Sequence, residues 1–288
     1  MAGIKILVLG ASGMAGHVIT TFLEEKGTYD VTNLVHRKRL NDRSHLADAT
    51  DFAELDKFLD NDRYDIIINC IGILNQNASK FIANAILLNS YLPHYLEDKL
   101  AGPQTKIIQI STDCVFSGKT GSYGEASFRD GDKAYDRTKA MGEICGDRSL
   151  TIRTSIIGPD MNADGIGFFN WFMKSTGWIN GYANSIWTGI TTVELAKAIE
   201  KIIMADLVGI YHLVPEKSIN KYELLLLLKE IFSRDDISIS KYNNKIVDKS
   251  LINTRSDFEY KVPDYRSMIC EMKEWILNHQ EFYPHYNL

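Results

Sequence analysis

The chain has 288 residues, enough for one large α/β domain or a domain with a smaller lobe. Hydrophobic residues at 45% and charged residues at 24% suit a globular protein with a sizeable core, and a net charge of −5 without a basic block gives no reason to expect a nucleic-acid partner. The four cysteines (Cys70, Cys114, Cys145, Cys270) have no CxxC or metal spacing, so no metal site is expected and a reducing, cytoplasmic setting is. No run is apolar for long enough to suggest a signal peptide or a membrane span; the leucines at 224–228 are too few.

Residues 4–9 (IKILVL) read as a buried parallel strand. Gly10-Ala11-Ser12-Gly13-Met14-Ala15-Gly16 follows at once, and a helical pattern then runs to Lys26. Glycines at this spacing allow a tight turn, close approach of backbone to a pyrophosphate and close helix-on-strand packing, with the helix N-terminus facing the anion. Gly10, Ser12, Gly13 and Met14 are therefore candidate cofactor contacts. Residues 30–35 form a second strand that ends in His36-Arg37-Lys38-Arg39 rather than in an acid. Cations there suit the 2′-phosphate of NADPH better than the bare ribose of NADH, with a solvated basic loop as the alternative. Residues 45–48 read as a short third strand, which puts Asp48 and Ala49 beside an adenine edge. Thr50-Asp51 caps a helix over 52–60.

A fourth strand over 65–71 ends in Ile71-Gly72-Ile73, where backbone passes under the cofactor. A long helix is expected over about 80–100. Its Asn89 lies on an apolar segment, either as a satisfied helix residue or bonded to a kink or water near the active site. The strand over 106–110 runs into Ser111-Thr112-Asp113, and a loop rich in Gly, Ser and charge leads to Tyr135-Asp136-Arg137-Thr138-Lys139. Helical spacing puts the Tyr135 phenol and the Lys139 ammonium on one face. A cation beside a phenol favours the phenolate and lowers its pKa, which fits general acid–base work, with a hydroxyl at the strand end holding the substrate oxygen.

A sixth strand is expected over 150–157, broken by Gly158-Pro159-Asp160. The β-α alternation to this point implies a Rossmann-like, doubly wound parallel sheet with its ligand at the carboxyl ends of the strands. Afterwards the rhythm changes. Residues 166–174 read as a short helix whose aromatic residues are core rather than ligand box, 192–205 as a helix, and 209–214 as a strand able to rejoin the sheet. Residues 221–232 read as a helix buried nearly all round, because of its five consecutive leucines, and 265–279 as the last helix. The domain expectation is 1–157, with 190–214 returning to it, for the dinucleotide; 158–189 and 215–288 build a smaller α/β substrate lobe. Position in that lobe nominates Asn170, Trp187 and Arg255 for the cleft, Arg255 for a diphosphate. Core packing explains Trp187 nearly as well.

With these residues in place, the chain resembles the extended short-chain dehydrogenases/reductases, and among them the dTDP-4-dehydrorhamnose reductase family. The resemblance rests on Gly10 to Gly16, Ser111-Thr112-Asp113 with Val115-Phe116-Ser117-Gly118, Tyr135 to Lys139 with Gly142-Glu143, Arg153-Thr154-Ser155, and Gly209-Ile210-Tyr211-His212-Leu213. It implies NADPH (or NADH) as cofactor, a nucleotide-linked 4-keto-6-deoxy sugar as substrate, and a place in surface polysaccharide precursor synthesis. It implies Thr112 on the carbonyl, Tyr135 as proton donor, Lys139 on the nicotinamide ribose and Asp113 on the sugar; a homodimer is compatible with it. The chain departs from the family at Cys114, where a Tyr is usual, at Ile156, where a Trp is usual, and over residues 187–191. All three border the sugar pocket, so a UDP-linked 4-keto-6-deoxy-N-acetylhexosamine rivals the rhamnose precursor. Cys114 matches the offset of a reactive cysteine in the related GDP-fucose synthases, but no histidine lies within 166–174 to partner it, which favours packing. A non-catalytic subunit like the regulatory subunit of methionine adenosyltransferase is a further alternative, against which the intact Thr112, Tyr135 and Lys139 argue.

Overall fold

The computed structural model describes residues 3–100 and 104–288. β1 (Ile4–Leu9) is followed by α1 (Met14–Glu25), β2 (Tyr29–Val35), β3 (Ser44–Leu46), α2 (Phe52–Asn61) and β4 (Ile66–Asn69). Asp51 caps α2 as expected, its carboxylate accepting from the Glu54 amide at 3.0 Å. Three short helices, α3 (Asn75–Lys80), α4 (Ile82–Ala85) and α5 (Leu92–Lys99), lead to β5 (Lys106–Ile110). Next come α6 (Ala134–Met141), β6 (Ser149–Arg153), β7 (Ile156–Ile157), α7 (Phe168–Lys174), β8 (Gly177–Tyr182), β9 (Ser185–Trp187), β10 (Ile190–Thr191) and α8 (Thr192–Ile203). β11 (Gly209–His212), β12 (Ile219–Asn220), α9 (Lys221–Ile231), β13 (Ile237–Tyr242), β14 (Val247–Asp248) and α10 (Tyr265–Asn278) complete the order.

Seven strands form one parallel sheet in the order β11-β6-β5-β4-β1-β2-β3. Their apolar residues, most of them β-branched, are buried on both faces, as a sheet covered by helices requires: Ile6, Leu7, Val8, Ile67, Ile68, Ile107 and Ile108 are all at 2% exposure or less. The order reverses between β1 and β4, and the loops there open a crevice at the strands' carboxyl ends. β11 adds to the edge beside β6. The later strands make small separate pairings: β13 parallel with β8, and β12 and β14 flanking β9.

Three expectations are corrected. The helix expected over 80–100 begins at Asn75, is interrupted at Phe81, and passes through a π-turn over Ile86–Tyr91. Pro93 has no N–H to give to the Asn89 carbonyl four residues earlier, and Leu92 donates instead to Leu87. The strand expected over 150–157 is two strands, because Thr154 and Ser155 leave the ladder and β7 pairs with β10 instead. The leucine-rich helix α9 is one-sided: Leu224, Leu225 and Leu228 are buried, whereas Leu226 is 40% exposed. Positions i, i+1 and i+4 share a face, and a run of five leucines overfills it.

Candidate active site

The turn after β1 is built by its glycines. Gly10 adopts a φ of +77° and donates its amide to Leu34 O at 2.9 Å, while Gly13 donates to Gly10 O at 3.0 Å. A Cβ on Gly16 would stand 2.2 Å from Gly10 O, so only glycine lets α1 approach β1 this closely. Gly13 and the half-buried Met14 border a cavity of about 320 Å³.

On the opposite side of the crevice β5 delivers Ser111, Thr112 and Asp113, all buried. Ser111 is committed to structure, donating to Glu143 Oε1 at 2.8 Å. Glu143 also receives Arg153 Nε at 2.7 Å and Arg153 Nη2 at 2.8 Å, and Arg129 Nη1 at 2.9 Å. This buried cluster fixes the end of β5 against the helix that carries Tyr135. Thr112 Oγ1 accepts from the Cys114 amide at 3.1 Å and donates to Asp113 Oδ1 at 3.1 Å.

Tyr135 and Lys139, four residues apart on α6, both line the cavity. Lys139 is 5% exposed, and its Nζ donates to Ile110 O at 2.7 Å. Burial lowers its pKa to about 8, against the opposing pull of Glu143 and the Cys70 sulfur. The expected lowering of the Tyr135 pKa is not found: burial raises it well above its ordinary value, and Cys114 and Asp113 add to the rise. Lys139 directs its ammonium to the Ile110 carbonyl, and its charge does not offset the burial of the phenol. Asn89 meets both halves of its expectation. Within the π-turn, its Oδ1 accepts from the Ile73 amide at 2.8 Å, and its Nδ2 donates to Ile73 O at 2.9 Å and Thr138 Oγ1 at 3.1 Å. It thereby ties the Ile71-Gly72-Ile73 turn to α6.

The other expected positions divide. Ile71, Gly72, Asp113 and Ile156 line the cavity. His36 and Arg37 are exposed at the end of β2, with His36 Nε2 3.6 Å from Asp48 Oδ2. Asp48 is lowered by bonds from the Thr50 amide and hydroxyl, and Ala49 is buried beside it. Ser12 is half-buried within the glycine turn.

Three substrate expectations are corrected. Asn170 is fully buried within α7, its Nδ2 donating to Ala163 O at 3.0 Å and Gly165 O at 2.6 Å; it folds the turn behind the cavity wall and does not face the cavity. Trp187 is 4% exposed and packs in the core beside Tyr265. Arg255 is held by Asp257 and by the carbonyls of Val208 at 2.5 Å and Ile210 at 2.9 Å, in a separate groove. A guanidinium already spent on a carboxylate and two carbonyls is not free for a diphosphate.

Residues missed by the sequence reading include Lys221 and Lys249. Lys221 Nζ lies 4.7 Å from the centroid of Phe168, which lines the cavity, and 4.0 Å from that of Trp187; its charge acts on Asp113 and Cys114. Lys249 is half-buried, and against the effect of burial the charges of Cys114, Asp113 and Asp136 raise its pKa. Helix periodicity marks Lys221 only as a first-turn residue, and Lys249 sits in an irregular segment, so neither carried a signal.

The fold is that of a Rossmann-type dinucleotide enzyme, and Thr112, Tyr135 and Lys139 line one cavity at the carboxyl ends of its strands. Residues 6–148 match the NAD dependent epimerase/dehydratase family. The chain is 24% identical over 244 residues to a dTDP-4-dehydrorhamnose reductase of Aggregatibacter actinomycetemcomitans, covering 78% of each chain. It is 30% identical over 156 residues to one of Streptomyces griseus, covering 52% of this chain and 48% of that one. Among solved structures it superposes on a hypothetical dTDP-4-dehydrorhamnose reductase of Sulfolobus tokodaii with a TM-score of 0.74 at 25% identity, covering 86% of this chain and 91% of the other. It superposes on the Bacillus anthracis enzyme in complex with NADP with a TM-score of 0.80 at 18% identity, covering 96% and 100%, a likeness of fold. The match over residues 6–148 and the relatives support the NAD-dependent epimerase/dehydratase family, of the extended short-chain dehydrogenases/reductases, for this chain. Its class is that of an NAD(P)-dependent oxidoreductase.

Proposed function

We propose that the protein reduces the 4-keto group of a nucleotide-linked 6-deoxy sugar with NADPH, in the supply of precursors for surface polysaccharide. The observation that carries this reading is the convergence of Thr112, Tyr135 and Lys139 on one cavity that also borders the glycine turn. The residues fit the cofactor: a Cβ-sized space between Gly10 and Gly16 is closed to any side chain, and Gly13 leaves backbone exposed at the N-terminus of α1. Gly10, Ser12, Gly13 and Met14 would hold the pyrophosphate, Asp48 and Ala49 the adenine, and Ile71, Gly72 and Ile73 the middle of the molecule. His36 and Arg37 would meet the 2′-phosphate. Bound NADPH supplies the hydride.

The chain's own residues do the rest. Thr112 and Tyr135 donate hydrogen bonds to the carbonyl oxygen, where charge develops. Tyr135 then gives its proton to the alkoxide. The raised pKa is suited to this direction, because it keeps the phenol protonated at neutral pH and an alkoxide is basic enough to take the proton. Lys139 holds the ribose and returns a proton toward Tyr135. Asp113 and Ile156 border the sugar. The Cys114 thiol, pushed up to about 12 by burial and by Asp113, speaks against its use as a proton carrier and for its reading as a packing residue. The division of labour proposed is 1–157 with 190–214 for cofactor, and 158–189 with 215–288 for substrate.

Turnover of dTDP-, UDP- and GDP-linked 4-keto-6-deoxy sugars with NADPH tests the reading, and loss of reduced cofactor with at least one of them is expected. Calorimetry with NADPH and NADH tests the cofactor assignment. NADPH should bind more tightly, and Arg37→Ala should remove most of a preference worth roughly 1.5–3 kcal/mol. Equal affinities in the wild type would contradict it.

A further inference from the structure

Lys221 is the first residue of α9, whose N-cap Asn220 accepts from the Glu223 amide at 2.9 Å. A cation is disfavoured at this end of a helix, where the backbone dipole is already positive. It is also half-buried between two rings, and among the described residues its ammonium forms no hydrogen bond and no ion pair within 4.0 Å. Helix stability and desolvation both oppose a lysine here, and no carboxylate repays the cost. The ring contacts offset part of that cost but do not satisfy the three N–H donors. Lys249, in the segment after β14, is a second half-buried cation whose charge is felt by the same Cys114 and Asp113. Asp113 and Cys114 thus feel the charge of both ammonium groups, which puts both near the strand end that presents Thr112. Arg255, the cation expected to serve the substrate, is bound elsewhere.

We propose that Lys221 and Lys249 are specificity-determining residues that together receive an anionic oxygen group of the substrate, with Phe168 and Trp187 holding Lys221 in place. The inference rests on the reading of this centre as a sugar-nucleotide reductase and adds the charge of the group recognised. Burial brings the Lys221 pKa down to about 8, so its ammonium carries charge at neutral pH but is poorly compensated until an anion arrives. Two sources supply such a group: the diphosphate that every nucleotide sugar carries, and a carboxylate on the sugar itself.

The test compares wild type, Lys221→Met, Lys221→Arg and Lys249→Met. NADPH affinity is measured first, as a check on the fold. Binding of dTDP and UDP is then measured by calorimetry, and kcat and KM with 4-keto nucleotide sugars with and without a sugar carboxylate. Lys221→Met should raise Kd or KM about 10- to 100-fold, the usual loss for a charge-assisted hydrogen bond, while NADPH affinity stays within about two-fold. Lys221→Arg should recover most of that loss, and Lys249→Met should weaken the same ligands. Weaker dTDP or UDP binding assigns the pair to the diphosphate. Unchanged nucleotide binding with a loss confined to carboxylate-bearing sugars assigns it to the sugar. If wild type turns over the panel and neither Met variant changes any Kd or KM, the inference is overturned while the reductase reading stands. If wild type reduces none of the panel, both fall.

Discussion

Lys139 sits in an environment far from its ordinary state in water. Its ammonium is buried, bonded to Ile110 O, and holds its proton only up to about pH 8. Below that pH the group is charged in both folded and unfolded chains, and folding carries the full desolvation cost. Between about pH 8 and 10.5 the folded chain has released the proton and the unfolded chain has not, so stability rises with pH. Comparing urea unfolding of wild type and Lys139→Met across this window, wild type should gain about 3 kcal/mol on the variant. A pH-independent difference would show that the ammonium is not desolvated in the cofactor-free chain. The residues of the centre were legible because STD follows an apolar strand and YxxxK has the spacing of one helix face. The pKa of Tyr135 was not, since spacing places Lys139 on the same helix face but does not reveal how deeply the phenol is buried or that the ammonium bonds a carbonyl. Lys221 and Lys249 were illegible for a related reason: their significance lies in partners they lack, and a sequence does not display an absence.

At the scale of elements, the site depends on how α6 packs against the π-turn. A Cβ on Gly142 would stand 1.8 Å from the Asn89 carbonyl. That carbonyl is the one Pro93 leaves without its helical donor, so the close approach and the irregular turn occur at the same residue. Gly142→Ala should push α6 away from Asn89, cost about 1–3 kcal/mol in chemical denaturation, and reduce kcat by shifting Tyr135 and Lys139 together. Wild-type stability and kcat in this variant would show that the contact does not position the centre. The strands of the main sheet were readable from apolar runs bounded by turn residues. The broken helix over Asn75–Lys99 was not, because Phe81 and Leu92-Pro93 interrupt a pattern whose apolar period continues through them. The small pairings among β8, β9, β12, β13 and β14 escaped notice because they are short, half-exposed and joined by long-range contacts.

Across the whole molecule, the C-terminal segment is bonded to the glycine turn after β1 through one buried chain. Trp275 Nε1 donates to Tyr283 Oη at 3.0 Å, and Tyr283 Oη lies 2.7 Å from His17 Nε2. His17 Nδ1 lies 2.9 Å from Gly13 O. The arrangement is satisfied by a neutral imidazole that donates to Gly13 O and accepts from Tyr283, and burial lowers the His17 pKa to about 4. Between about pH 6.5 and 4 the unfolded chain takes up a proton that the folded chain refuses, so stability falls as pH falls. His17→Gln should remove about 3 kcal/mol of that decline, read from unfolding at pH 7 and pH 4. An identical pH dependence in the variant would contradict the neutral-imidazole reading.

The same scale holds the central claim, that one centre assembled from β5 and α6 performs the reduction while the glycine turn after β1 independently holds the cofactor. Tyr135→Phe separates the two, since it keeps the ring and removes the proton donor. Measured side by side, NADPH affinity should stay within about two-fold of wild type, and kcat on the best substrate of the sugar-nucleotide panel should fall by roughly 100- to 10,000-fold. A variant that turns over at near wild-type rate would contradict the account.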